Sequence, residues 1–183
     1  MTTSRREQIL ATAASLFAER GFHGVSMHDI GGACGISGPA LYKHFHGKAD
    51  ILSQSLISIS ERLVAEGHDR IASATEPDDA LDALVDWHID FALSDPALIV
   101  IQEREWANLD LETRREVRTL QLSYIDIWVD TLRQLRDDLD PAEARASVQA
   151  TFGLLNSTPH SARISEAAMR ARLATMARSA LLA

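Results

Sequence analysis

Apolar residues along this chain recur at intervals of three and four, the spacing that gathers them on one face of an α-helix. No convincing strand alternation and no Asn-Gly type hairpin signal interrupts that rhythm. The expected fold is therefore all-α, with about nine helices. Their ends are written in the capping residues. Ser4 with Glu7 forms a capping box, and Ile9, Ala13, Leu16 and Phe17 continue a helix that Gly21 stops. Ser26 with Asp29 opens a short second helix ending near Gly35, and Ser37 opens a third, predicted to run through Phe45 with Pro39 tolerated in its first turn. His46-Gly47 breaks the run. The stripe Leu52, Leu56, Ile59 and Leu63 marks one long helix from Lys48 to about Ile71. Further starts fall at Glu76-Pro77, at Asp95-Pro96 for a helix through about Asn108, and near Leu111 for a long one to Asp138. Asp140-Pro141-Ala142-Glu143 opens the next, and a final helix covers roughly Ser165 to Leu182.

Charge divides the chain where the helices change length. The whole carries 18 Lys and Arg against 26 Asp and Glu, a net charge of −8, which by itself argues against nucleic acid. Residues 1–50, however, hold five basic and four acidic side chains with four of the seven histidines, so the acidity belongs to the remainder. The predicted organisation is a head, 1–47, and a larger body, 48–183. No window approaches the ~20 consecutive apolar residues of a membrane span. The polar start leaves no room for a secretory apolar segment, which points to the cytoplasm. Cys34 is the only cysteine, so no intrachain disulfide forms, and a thiolate zinc site is disfavoured. Its simplest reading is a small buried filler.

The functional signal lies between Ser26 and Lys48. Two short helices separated by Gly35-Ile36 form a helix-turn-helix, in which the glycine permits the reversal and Ile36 plugs the gap. The second helix of such a motif enters the major groove of DNA. Leu41 and Phe45, four apart, face inward onto Ile30, while Gly38, Pro39, Ala40 and Lys43 face out. Small residues at the helix tip allow close approach to base edges, and Pro39 and Ala40 offer apolar contact to thymine methyls. Lys43 is the long cation available there for a guanine or a phosphate.

The run Arg6-Glu7-Gln8-Ile9-Leu10, Leu16-Phe17-Ala18-Glu19-Arg20-Gly21-Phe22, Val25 to Ile30, Gly35-Ile36-Ser37, and Leu41-Tyr42-Lys43-His44-Phe45 with Lys48 resembles the N-terminal domain of the TetR family of transcription regulators. The resemblance covers about the first fifty-five residues. It implies that Ser26, Tyr42, His44 and Lys48 touch phosphates, and that His28, Ser37, Gly38, Pro39, Ala40 and Lys43 lie at or near base edges. One departure is the pair Gly31-Gly32, where the family usually has Ala; each glycine weakens a helix by roughly 1 kcal/mol.

A single small head reads few bases, so tight binding needs two heads about one DNA turn apart, hence a homodimer on double-stranded operator DNA with two-fold character. Phe152, Leu155, Met169, Leu173 and Met176 form apolar stripes on the last helices, the natural interface; intramolecular core is the alternative. The body is longer than dimerisation requires. Trp87, Trp106 and Trp128 fall in its middle helices, His88 and Tyr124 lie on inward stripes, Gln102 stands near the seam of its own helix, and Phe91 is grouped with them. Such a mixed lining suits a small-molecule effector, an apolar or acyl-type one given the acidic surroundings. Satisfied core polar groups are the alternative for any one of them. A repressor that releases DNA on binding effector is the reading the resemblance implies.

Enzyme motifs are lacking: there is no Gly-rich phosphate loop, no Gly-x-Ser-x-Gly elbow and no His-Glu-x-x-His helix. Asp86, His88 and Asp90 alternate, which on a helix separates them and spoils a shared metal site. No catalytic group, metal or cofactor is therefore assigned. The competing class is a helical adaptor that acts through a protein partner without DNA, for which the net charge is the best argument.

Overall fold

Four local signals set the helix starts in the computed structural model, which describes residues 4–183. Ser4, Ser26 and Asp140 each accept from the backbone three residues on while the acidic residue there reaches back, closing capping boxes on α1 (Arg5–Arg20), α2 (Met27–Cys34) and α8 (Pro141–Leu155). Ser165 caps α10 (Glu166–Leu182) through the Ala168 N–H. Glycines end the first two: Gly21 and Gly35 take φ of +74° and +65°, which a side chain would resist. Between these lie α3 (Gly38–Leu41), α4 (Lys48–Ser73), α5 (Pro77–Ser94), α6 (Pro96–Arg104), a 3₁₀ turn (Trp106–Asn108), α7 (Leu111–Leu135) and α9 (Thr158–Ser161). The described residues contain no strand, so the all-α expectation holds.

Three boundaries differ from expectation. The third helix was predicted through Phe45, but regular α geometry ends at Leu41. Beyond it the Lys43 and His44 amides bond to Ala40 and Leu41 three residues back, a tightened turn, before Phe45 returns to Leu41. Ser37 makes no side-chain cap bond. The helix expected through Asn108 stops at Arg104, and the chain resumes as a 3₁₀ turn after the buried Glu105, whose carboxylate accepts from Asn108 Nδ2 at 2.8 Å. Helix α7 ends at Leu135, where Arg136 turns to pair with Asp138 at 2.8 Å.

The chain forms two compact units. The first runs to Ile59 and adds Ala97–Arg118; the second comprises Ser60–Pro96 and Thr119–Ala183. In the first, Ile9, Ala13 and Phe17 of α1 pack with Ile30, Leu41, Phe45, and Ile51, Leu52 and Leu56 of α4. Ile101 and Val117 join that core. In the second, Leu81, Leu84 and Ile89 of α5 meet Trp128 and Leu132 of α7, Val148 and Leu155 of α8, and Leu173, Ala177 and Leu181 of α10. Arg178 on α10 pairs with Asp78 and Asp82, and Arg170 with Asp90 at 2.6 Å, orienting α10 along α5 at little energetic gain per exposed pair.

The expected dimer stripe needs correction. Leu155, Met169 and Leu173 are buried inside the second unit of a single chain, at 0%, 6% and 2% exposure. Phe152 is half-buried with its ring on His88, so of the five only Met176 is exposed. Helical periodicity locates an apolar face but does not say whose surface covers it.

The glycine pair also separates. A Cβ on Gly31 would stand 3.0 Å from the Ile36 carbonyl oxygen, in the turn that the Ile36 N–H closes onto Gly31 O at 2.9 Å, whereas one on exposed Gly32 would meet nothing within 4 Å. In urea unfolding, Gly32→Ala is expected to gain roughly 0.5–1 kcal/mol. Gly31→Ala is expected to lose about 1 kcal/mol or more through crowding. Equal effects at the two positions would contradict this assignment.

Candidate functional site

Two places collect the polar side chains singled out above, one in each unit. In the first unit, Leu41 and Phe45 are 0% and 1% exposed and pin the turn α3 against α1, α2 and α4, while Pro39, Tyr42, Lys43 and His44 lie outside. Gly38 and Ala40 are half-buried at the tip. Beside them a groove of about 610 Å³ opens at the start of α2, lined by His23, Gly24, Val25, Ser26, Met27, His28, Asp29, Tyr42, Gly47 and Lys48. Tyr42 is 57% exposed, an aromatic with a polar tip standing in solvent.

The groove is held rigid by its own hydrogen bonds. Ser26 Oγ accepts from Asp29 N at 3.1 Å and lies 2.5 Å from Asp29 Oδ2, which also accepts from Ser26 N at 2.8 Å. These bonds hold the Asp29 carboxyl below its ordinary range. Lys48 Nζ donates to the carbonyls of Phe22 and Val25, at 2.8 and 2.9 Å, and lies 4.5 Å from the Phe22 ring centre. Two of its three N–H groups therefore tie the start of α4 to the loop before α2. Of the residues predicted for DNA, Ser26, His28, Tyr42 and Lys48 share this groove, Ser37 to Ala40 and Lys43 form the adjacent turn, and His44 follows it. His23, Gly24, Met27 and Gly47 also line the groove; the His23-Gly24 step between a helix stop and the next cap was the available signal.

In the second unit, His88 of α5 is 2% exposed and sits within an aromatic shell. Its ring stacks on Phe152 at 4.7 Å and Tyr124 at 5.8 Å and meets Phe91 and Trp128 edge-on at 5.6 and 5.9 Å. His88 Nε2 lies 3.0 Å from Asn156 Oδ1, an oxygen that only accepts, so Nε2 carries the proton. Nδ1, 3.4 Å from the Tyr124 hydroxyl, is then the acceptor of a long contact. Burial pulls the imidazole down to about 4, against a smaller opposing effect of the Asn156 bond, and holds the Tyr124 phenol well above its ordinary value. Both are neutral near pH 7. The predicted pocket residues thus split. His88, Phe91, Tyr124 and Trp128 come together with Phe152 and Asn156, whereas Trp87 stands beside this group under Arg62 and Arg70, at 5.8 and 5.5 Å. Gln102 and Trp106 belong to the other unit. Asn156, just past the end of α8, carried no periodic signal.

Residues 9–54 match the family model described as bacterial regulatory proteins, tetR family, and residues 74–160 match that of a tetracyclin repressor-like C-terminal domain. The HTH-type transcriptional repressor KstR2 of Mycobacterium tuberculosis is 30% identical over 151 residues, covering 75% of this chain and 72% of the relative. The chain belongs to the TetR family. It is accordingly a ligand-responsive DNA-binding regulator. A TetR-family transcriptional regulator from Bordetella parapertussis shares the fold, with a TM-score of 0.82 at 24% identity over 96% of this chain and 95% of that one. So does AibR, solved in complex with isovaleryl coenzyme A and operator DNA, with a TM-score of 0.74 at 22% identity over 94% and 97% of the two chains.

Because the His88 ring is held at about 4 against an ordinary value near 6.5, the unfolded chain binds the extra proton first as pH falls. Its contribution is intact above pH ~6.5 and is lost progressively down to pH ~4, about 3 kcal/mol in all. Thermal unfolding is expected to show a steeper loss over that interval for the native chain than for His88→Gln. Parallel curves would contradict the buried neutral imidazole.

Proposed function

We propose that this regulator is a homodimeric repressor whose head, residues 1–47, grips operator DNA and whose body, 48–183, binds an apolar or acyl-type small molecule that releases it. The observation carrying the DNA half is the outward edge of α3. Around two buried anchors the turn leaves Pro39 and Lys43 exposed and Gly38 and Ala40 half-buried. The groove beside it offers Ser26, His28 and Tyr42 at the positive end of α2, where a phosphate is favoured by the helix dipole. Lys48 supports this surface by positioning it; its carbonyl bonds fix the loop that presents Ser26.

The effector half rests on the His88 cluster, a neutral polar group walled by rings, where apolar surface supplies affinity and a few hydrogen bonds fix orientation. AibR, which has the same fold, was solved with both an acyl coenzyme A and DNA. Among the described residues no helix is long and apolar enough to cross a membrane.

Dimerisation is assigned to the outer faces of α8 and α10. With Val148, Leu155, Leu173 and Leu181 turned into the core, the opposite faces expose Ala146, Ala150 and Gly153 on α8 and Ala171 and Thr175 on α10, with Met176 exposed at the flank of α10. Small side chains let two such helix pairs approach closely across a two-fold axis. A Cβ at Gly153 would meet nothing within 4 Å, so a larger residue is accommodated by the isolated chain. Gly153→Arg is therefore expected to halve the mass seen by light scattering while the circular dichroism spectrum stays unchanged. A dimer that survives it argues for another interface.

Gel shift on genomic fragments across a salt series tests the DNA reading. The native protein should lose affinity steeply as salt rises. Lys43→Ala should weaken binding and lower the salt slope by about one if it meets a phosphate, or relax preference at one base pair if it meets a guanine. A protein that retains no fragment at low salt acts as the adaptor considered from its net charge.

A further inference from the structure

Binding to a duplex replaces condensed counterions with cationic side chains, so a head that grips DNA needs several positive groups free to meet phosphates. This head is short of them. Residues 1–50 hold five Lys and Arg against four Asp and Glu, a balance of +1 with neutral histidines. Four of the five cations already have intramolecular contacts. Arg5 donates to the Cys34 carbonyl at 2.6 Å, Arg6 to Gln54 Oε1 and Lys48 to two carbonyls, while Arg20 stands 3.8 Å from the Glu19 carboxylate. Among the described residues only the Lys43 side chain, which is exposed, has no such partner in this stretch.

The same stretch carries four of the seven histidines, and His23, His28, His44 and His46 are all exposed. His23 and His28 line the groove at the start of α2, and His44 and His46 stand on the segment between Tyr42 and Gly47, two further residues of that lining. Imidazole is the side chain whose ordinary titration falls between pH 5 and 8. Protonation of all four takes the balance of the stretch from +1 to +5. The fixed charges around them are mixed. Asp29 faces His28 and Arg20, Glu105 stands near Gly21 ahead of His23, and Asp50 accepts from the His46 amide at 2.8 Å. Lys43 and Lys48 flank the segment that holds His44 and His46, and Arg6 lies 5.5 Å from the ring of Phe45, beside His44. Phosphates brought to this surface add negative charge alone.

We propose, resting on the DNA reading above, that the head takes up protons at these histidines when it binds operator DNA, so that the regulator holds DNA more tightly as pH falls and loosens its hold as pH rises through neutrality. A phosphate beside an imidazole favours the charged form, and linkage makes the converse hold, since each proton bound strengthens the grip on the phosphate. The affinity gained this way is complete at acidic pH and is lost as the imidazoles of the complex deprotonate. If half the histidines in the two heads of a dimer each take up about half a proton at pH 7, about two protons enter per dimer. Affinity at pH 6 then exceeds that at pH 8 on the order of a hundredfold or more.

The test uses the full-length protein with two duplexes, the genomic fragment retained in the gel shift and a mixed-sequence DNA of the same length. Affinity is measured at about pH 6, 7 and 8 at fixed ionic strength, with circular dichroism recorded at each. Calorimetric titration in two buffers of different ionisation heat counts the protons taken up. The expected result is an acid-side gain of the size above and a steeper salt dependence at the lower pH, because each imidazolium displaces a counterion. His23→Gln with His28→Gln, and separately His44→Gln with His46→Gln, should each remove about half of the proton uptake, whatever they do to affinity at a single pH. His68→Gln with His160→Gln removes two exposed histidines of the body and should leave the proton count native. A change of less than about threefold across the pH range, a proton count near zero, or an equal loss of uptake in the body variant would overturn the proposal and leave the DNA reading standing. Failure to hold either duplex at any pH or salt would overturn both.

Discussion

Leu41 and Phe45 hold a segment with too little helix to hold itself. One turn of α geometry followed by i−3 bonds has no stability in isolation, so the shape of the outward edge is set by what those two side chains touch. They share one core with Ile9, Ala13 and Phe17 from α1, Ile30 from α2 and Ile51 and Leu52 from α4, all fully or nearly fully buried. The Gly35 turn and the Ile36–Gly31 bond fix the angle of entry, and Lys48 ties α4 to the loop ahead of α2. A cluster of core contacts thereby becomes a fixed arrangement of Pro39 and Lys43 in solvent with half-buried Ala40 between them. Rigidity there matters, because base-edge contacts tolerate little displacement.

The body is organised by the opposite device, a polar group kept inside an apolar shell. His88, Tyr124 and Asn156 satisfy one another within a shell of rings, and the Trp128 indole shares the Tyr124 hydroxyl. Gly67 of α4 allows the Tyr124 ring to approach closely; a Cβ there would stand 3.1 Å from the ring. Helices α4 and α7 each contribute residues to both compact units, α4 through Ile51 to Leu56 and again through Gly67, α7 through Val117 and again through Tyr124.

Much of this was legible in residue order because it is local. Capping boxes at Ser4, Ser26 and Asp140 and stops at Gly21 and Gly35 depend on neighbours three or four positions away, and they appear where the pattern placed them. The end of α3 was not legible, since its tightening after Leu41 is imposed by Phe45 entering a core assembled from distant segments. The apolar stripes of α8 and α10 were legible as stripes but not as to their cover: Leu155 and Leu173 meet α5 and α7 rather than a second chain, and the small residues on the outer faces gave no hydrophobic signal. At the sites, His88 announced itself as an imidazole on an apolar face. Its partner Asn156, 68 positions away, did not. Lys48 stood out in the motif, while its bonds to two carbonyls depend on a loop conformation no spacing encodes.

The central claim is that two copies of the outward α3 edge enter successive major grooves. Hydroxyl-radical footprinting of a genomic fragment selected by the native protein measures this directly. Two protected patches on one face of the duplex, centred about 10 base pairs or a small multiple of a turn apart, are the expected result. A single unpaired patch, or uniform reactivity at saturating protein, would contradict it.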